Sequence, residues 1–122
     1  MEARPKRLGA LGLYLITSPS APELLALVAD AVRGGVTMVQ LRDKEASDAQ
    51  LYEQGRKLME LLAPLGIPLL INDRVLVAKS LGAGLHIGMD DADPATARSV
   101  LGPEAWLGVT IHKDVALARR YR

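Results

Sequence analysis

Apolar positions along the chain follow two alternating periods. Five short runs have strand character: Leu11–Thr17, Val36–Arg42, Pro68–Ile71, Leu85–Ile87 and Ala105–Val109. Between them, apolar residues recur every three or four positions, the period of an amphipathic helix. Ser20-x-x-Glu23, with Pro22 in the first turn, opens a helix carrying Leu24, Leu27, Val28, Ala31 and Val32 on one face, and Gly34-Gly35 stops it. Ser47-x-x-Gln50 opens a second, with Leu51, Gly55, Leu58, Leu62 and Leu65 as its inner stripe and Pro64 and Gly66 at its end. Shorter helices are predicted over Arg74–Leu81, from Asp93-Pro94 to about Val100, and from Asp114 to Tyr121. The pattern is five βα units in order, one domain over residues 1–122 with no linker and no low-complexity tract. Uniform alternation of this kind means a parallel sheet with helical crossovers. Two architectures satisfy it, an open doubly wound sheet and an arc of a (βα)8 barrel.

In parallel α/β folds ligands sit at the C-terminal ends of the strands, so the polar residues there are the candidates for a site. The second run places Val36, Met38, Gln40, Arg42 and Lys44 on one face, and Thr37, Val39, Leu41 and Asp43 on the other. The first face begins apolar and ends in an amide, a guanidinium and an ammonium, a set suited to an anion and above all to phosphate. The same three residues also fit a strand running out into a solvated loop. The third run leads into Asn72-Asp73-Arg74, where Asn72 is the only asparagine of the chain and Asp73 fits an ordinary helix N-cap. The fourth leads into His86-Ile87-Gly88-Met89-Asp90-Asp91-Ala92-Asp93. Asp93 before Pro94 suffices as a cap there, which leaves Asp90 and Asp91 without that role. Carboxylates from adjacent strand ends, opposite a basic strand, suit Mg²⁺, which takes one or two protein carboxylates and completes its shell with phosphate oxygens and water. Thr110 offers a hydroxyl at the end of the fifth run. His86 and His112 have no metal-ligand spacing and read as structural, and Trp106 reads as core. No P-loop, nucleophile elbow or H-E-x-x-H is present.

Composition narrows the partners. Fifteen basic residues against 14 acidic ones give a net charge of +1, and the aromatics are three Tyr, one Trp and no Phe. Neither a basic footprint nor a stacking platform for nucleic acid is available. The absence of cysteine removes disulfide frameworks and thiolate metal sites and points to the cytoplasm. No apolar run approaches the roughly 18 residues of a membrane span. Arg4, Lys6 and Arg7 ahead of Leu8–Ile16 imitate a short signal peptide, but they read as a basic tail before the first strand.

Five segments together resemble the thiamine phosphate synthase family, from Leu13 to the last residue. They are Tyr14-Leu15-Ile16-Thr17, Val39-Gln40-Leu41-Arg42-Asp43-Lys44, Ile71-Asn72-Asp73-Arg74, His86-Ile87-Gly88-Met89-Asp90-Asp91 and Gly108-Val109-Thr110-Ile111-His112. Each is short, but five in order at successive strand ends are specific. The resemblance selects the barrel arc, a partial (βα)8 TIM barrel of about five βα units with parallel strands in sequential order. It implies a transferase that joins an aminopyrimidine methyl diphosphate to thiazole phosphate, releasing pyrophosphate and forming thiamine phosphate. By motif, Gln40, Arg42, Lys44 and Asn72 bind the pyrimidine diphosphate. Asp73 and Asp91 hold Mg²⁺, and Thr110 stands where the family often has a Ser on the same substrate. No residue is implied as a general acid or base, because loss of pyrophosphate leaves a delocalised pyrimidinyl cation and the work is neutralisation of the leaving group.

The chain departs from the family pattern in two ways. Met89 stands where many members have Gln, and the later Thr- and Lys-containing loop and the thiazole-phosphate site have no counterpart in these 122 residues. The chain alone is therefore expected to lack part of the active site, and an arc with unpaired outer strands is expected to self-associate. Rival readings are the thiazole tautomerase and regulator branch of the same superfamily, in which the Asn-Asp pair and the later Asp are typically eroded, and a non-enzymatic phosphate-binding module. A receiver-like domain is set aside because Thr17-Ser18 stands where receivers carry their acid pair.

Overall fold

A computed structural model describes residues 12–17, 23–88 and 90–120. Its strands are β1 (Tyr14–Ile16), β2 (Met38–Leu41), β3 (Leu69–Asn72), β4 (Gly84–Ile87) and β5 (Leu107–Val109). Its helices are α1 (Leu24–Arg33), α2 (Asp48–Leu62), α3 (Val75–Leu81), α4 (Pro94–Leu101) and α5 (Val115–Arg120). The expected start of β1 at Leu11, the Ser20 and Pro22 signals, Met89 and the end of α5 at Tyr121 lie outside the described residues.

Two of the cap signatures form as read. Ser47 Oγ accepts from Gln50 N at 3.1 Å while Gln50 Oε1 accepts from Ser47 N at 2.9 Å. Asp93 accepts from the backbone N–H groups of Ala95 and Thr96, with Pro94 as the first helical residue. Glu23 occupies the N-cap position of α1 and makes no side-chain cap bond. The strands are shorter than the apolar runs that contain them. At the start of β2, for example, the N–H groups of Thr37 and Met38 both go to the Leu13 carbonyl, so the ladder proper begins only at Met38.

All five strands are parallel, in the order β1-β2-β3-β4-β5. A doubly wound sheet of this size would place β1 between β2 and β3, so the observed order is that of a barrel arc. The register pairs Gln40 with Ile16 and Leu70, and His86 with Asn72 and Gly108. Every even-numbered strand residue therefore shares one face. The odd face carries Val39, Leu41, Leu69, Ile71, Leu85 and Ile87, packed against Val28, Leu51, Leu58, Leu62, Val77, Ala78 and Ala97 of the helices. Each large aliphatic side chain buried there contributes roughly 1.5–3 kcal/mol. Met38 and Leu70 are buried on the even face, outside that cluster, and fill the inside of the arc. Gly55 lets α2 close on α3, since a Cβ there would stand 2.5 Å from Leu81 Cδ1.

Three expected core positions fall elsewhere. Leu27, one residue and so roughly 100° round the helix from fully buried Val28, is half exposed. Leu65 is exposed because Pro64 ends the α-helix and a 3₁₀ turn over Ala63–Leu65 takes it off the inner stripe. Trp106 precedes β5 and is only partly buried, outside the core cluster.

Candidate functional site

At the C-terminal ends of the strands a cavity of about 270 Å³ is lined by Gln40, Arg42, Lys44, Asn72, Asp91 and Thr110, together with Ile16, His86 and Gly88. Six of the seven residues singled out in the sequence thus line one space. The seventh, Asp73, joins it through Lys44, whose Nζ lies 3.6 Å from Asp73 Oδ2. A larger cavity, about 360 Å³, lies at the opposite ends of β3 and β4. Its walls are mostly apolar, among them Met59, Ile67, Pro68 and Trp106, and they bring no charged cluster together.

A hydrogen-bonded row of two amides and a phenol crosses three strands. Gln40 is almost wholly buried, so both ends of its side chain need partners. Its Nε2 donates to Tyr14 Oη at 3.0 Å and its Oε1 accepts from Asn72 Nδ2 at 2.9 Å. Each amide nitrogen retains a second N–H, and both residues line the cavity. Thr17, buried just past β1, accepts the Arg42 backbone N–H on its Oγ1 at 3.1 Å. That bond ties the end of β2 to β1. Among the described residues the exposed Arg42 guanidinium makes no ion pair.

The loop carrying Lys44 is held at both sides. Asp43 Oδ1 accepts from the N–H groups of Glu45 and Ala46. From across the sheet, Arg74 Nη2 reaches the carbonyls of Asp43 and Lys44, each at 3.3 Å, while its Nη1 pairs with Asp48 at 3.0 Å. Arg74 is thus a strap over the loop.

Asp73 does not cap a helix. Arg74 holds the N-cap position of α3, and no side chain caps it. Asp73 instead adopts φ +70°, a left-handed conformation uncommon for a residue with a Cβ. Its N–H donates to the His86 carbonyl at 2.8 Å and the next N–H donates to the Asn72 carbonyl at 2.7 Å. Strain of this kind persists where the surrounding structure imposes it, and it gathers at functional sites.

Electrostatics tie the two carboxylates together. The Gly88 N–H, 2.6 Å from Asp91 Oδ2, leads in holding the Asp91 carboxyl below the ordinary aspartate value, with Asp73, Lys44 and His86 adding to the effect. Burial and then the facing Asp91 push Asp73 above its ordinary value, against the pull of Lys44. Two neighbouring acids, one of which disfavours the charge of the other, are also two acids able to share a cation. Among the described residues no group of three His, Cys, Asp or Glu side chains converges. A cation here would complete its shell with ligand oxygens and water, as Mg²⁺ commonly does. Burial also lowers His86 and raises Tyr14 relative to their ordinary values.

Sequence reasoning passed over three residues of this neighbourhood. Tyr14 and His86 share the even face with Gln40 and Asn72, a signal visible once strand parity is extended from β2 to its neighbours. Arg74 gave no such signal, because its partners include main-chain carbonyls about thirty residues earlier.

A family model described as thiamine monophosphate synthase matches residues 13–122. The chain belongs to that family. It is similar to the thiamine-phosphate synthase of Azorhizobium caulinodans, with 53% identity over 105 residues, covering 83% of this chain and 50% of that protein. The thiamine-phosphate synthase of Xanthobacter autotrophicus is 55% identical over 105 residues with the same coverage. The fold is similar to the solved thiamine phosphate pyrophosphorylase from Pyrococcus furiosus, with a TM-score of 0.81 and 28% identity, over 91% of this chain and 56% of that one. The chain spans about half the length of the curated relatives it matches. As in a thiamine monophosphate synthase arc, the strands run in sequential order, and the receiver-like alternative falls with that order. Among the described residues no helix is long and apolar enough to cross a membrane.

Proposed function

We propose that the strand-end cavity binds an aminopyrimidine methyl diphosphate. The reaction is that of a cytoplasmic transferase of thiamine biosynthesis: pyrophosphate leaves and thiazole phosphate takes its place to form thiamine phosphate. The single observation that carries this reading is the convergence of Gln40, Arg42, Lys44, Asn72, Asp91 and Thr110 on one cavity in a chain of the thiamine monophosphate synthase family. Arg42 and Lys44 neutralise the diphosphate. The amide row of Gln40 and Asn72, with the Thr110 hydroxyl, fixes its position by hydrogen bonds. The facing pair Asp73 and Asp91 fits a hard cation, and these are the residues that would hold Mg²⁺, which when bound adds positive charge against the leaving group. The breaking C–O bond sends its electron pair out with pyrophosphate, and the pyrimidine ring spreads the positive charge left behind. No side chain has to move a proton. Electrostatic preorganisation is the contribution asked of these residues. The intact Asn72-Asp73 pair and Asp91 favour a synthase over the tautomerase and regulator branch.

Calorimetry with inorganic pyrophosphate, with and without Mg²⁺, tests the reading. Each should tighten binding of the other. Arg42→Met and Lys44→Met should each lower pyrophosphate affinity about ten- to a hundredfold, the worth of a charged hydrogen bond. Both side chains are solvent-facing, so melting temperatures should move by no more than about 4 °C. Unchanged affinity in both variants would refute the assignment, and a large loss of stability with intact affinity would make them structural ion-pair residues.

A further inference from the structure

If the cavity takes a diphosphate, as read above, the direction in which the Thr110 hydroxyl points decides what the anion meets. His86 stands on the even face of β4, beside Asn72 and Gly108 in register. Its Nε2 lies 2.8 Å from Thr110 Oγ1. Its Nδ1 is buried and has no hydrogen-bond partner. That edge of the ring lies against Gly108, where a Cβ would stand 2.6 Å from Nδ1 and 3.5 Å from Cγ and Cε1. The ring occupies this place because residue 108 has no side chain.

These contacts settle the direction of the bond. A buried N–H without an acceptor is among the rarest features of folded proteins, and an unused lone pair is better tolerated. The proton therefore sits on Nε2, where a partner exists, and Nδ1 keeps a bare lone pair. Nε2–H donates and Thr110 Oγ1 accepts. A threonine hydroxyl has one proton of its own, and with Oγ1 already engaged by the imidazole that proton is left to point into the cavity that Thr110 lines with Gln40, Arg42 and Lys44.

We propose that His86 is a positioning residue: by donating Nε2–H to Thr110 it commits the Thr110 hydroxyl to act as a donor toward an acceptor oxygen of the bound anion, and Gly108 is the residue that makes room for it. With the opposite tautomer Thr110 would donate to the ring and present only a lone pair to an anion, which repels it. The imidazole touches no substrate atom in this scheme and transfers no proton. Its effect is to choose which of two hydroxyl orientations meets the ligand.

Two measurements on the 122-residue chain test this. Long-range ¹H–¹⁵N spectra of the imidazole, without ligand, should show the His86 proton on Nε2, and a proton on Nδ1 overturns the proposal. Gly108→Ala should displace the ring and change that signature. In calorimetry with pyrophosphate and Mg²⁺, Thr110→Val and His86→Leu should each weaken binding roughly tenfold. The double variant should be no weaker than Thr110→Val alone, because both remove the same bond to the anion. His86→Gln, whose amide N–H replaces Nε2–H, should keep affinity within about threefold of wild type. Losses that multiply in the double variant, or a His86→Leu protein that binds as wild type does, overturn the positioning role. Wild-type protein that binds no pyrophosphate while showing the Nε2 proton overturns the diphosphate reading instead.

Discussion

Replacing Asp73 by Asn separates a carboxylate kept for a cation from one kept for the fold. Asn tolerates the left-handed φ of +70° as readily as Asp does, so the backbone has no reason to move. Two electrostatic effects then oppose each other. The pair with Lys44, at 3.6 Å between side chains 47% and 35% exposed, is lost. At that exposure it contributes at most about 1 kcal/mol. Against this, the repulsion from Asp91 disappears. Burial and Asp91 hold the Asp73 carboxyl above its ordinary value. Its contribution to stability is therefore complete below the unfolded-state value of 3.8 and is lost as pH rises through the raised folded-state value. Near neutral pH the ionised Asp73 is a cost to the fold, and Asn removes it. The net change in stability should stay within about 1 kcal/mol in either direction, a melting shift of no more than about 8 °C for a domain of this size. The coupling between Mg²⁺ and pyrophosphate, which loses one of two carboxylates, should fall about ten- to a hundredfold. Calorimetric titrations of pyrophosphate at fixed Mg²⁺, beside thermal melts at neutral pH, measure both. A variant that loses more than about 2 kcal/mol of stability while keeping the full coupling would show that Asp73 serves the fold and not a cation.

Arg74→Met removes the strap on the 43–47 loop, so pyrophosphate affinity should drop several-fold, and adding Lys44→Met should then cost less than it does alone; full additivity in that double variant would refute the strap. Partial burial of the Tyr14 phenol, on a side chain that is otherwise 42% exposed, raises it above 10.0, so its contribution to stability is complete below that value and lost as pH rises through the raised one. An absorbance titration should lose a tyrosine step above 10.0 in Tyr14→Phe, and an unchanged curve would contradict the burial argument. On β1, Tyr14 and Ile16 are 42% and 51% exposed at an outer strand of the arc, so sedimentation of the purified chain should show concentration-dependent association; an ideal monomer across the accessible range would count against it.

The elements themselves were legible in the sequence because the forces that set them are local. Ser47 and Gln50 reach each other within one turn, Asp93 finds its N–H partners two and three residues on, and the inner stripe of α2 follows from 3.6 residues per turn. The change of β2 from apolar to polar between Met38 and Lys44 was legible for the same reason, since alternation along a strand needs no knowledge of its neighbours. The positions of Leu27 and Leu65 were not, because each depends on where a helix ends or which arc of it meets the sheet, and that of Trp106 was not, because it depends on where the β5 ladder begins. Strand order was beyond reach of periodicity altogether: doubly wound and barrel chains share the same alternation, and only pairing between distant segments separates them. The finer chemistry was decided at that level too. Asn72 meets Gln40 across 32 residues and His86 meets Thr110 across 24. Asp73 trades its expected cap for a strained turn because the His86 carbonyl lies within reach of its N–H. The sequence supplied the donors, the acids and the order in which they arrive. Which of them share a cavity or a hydrogen bond was decided by the register of the sheet, because a shift of one residue in any strand would turn its polar side chains into the apolar core.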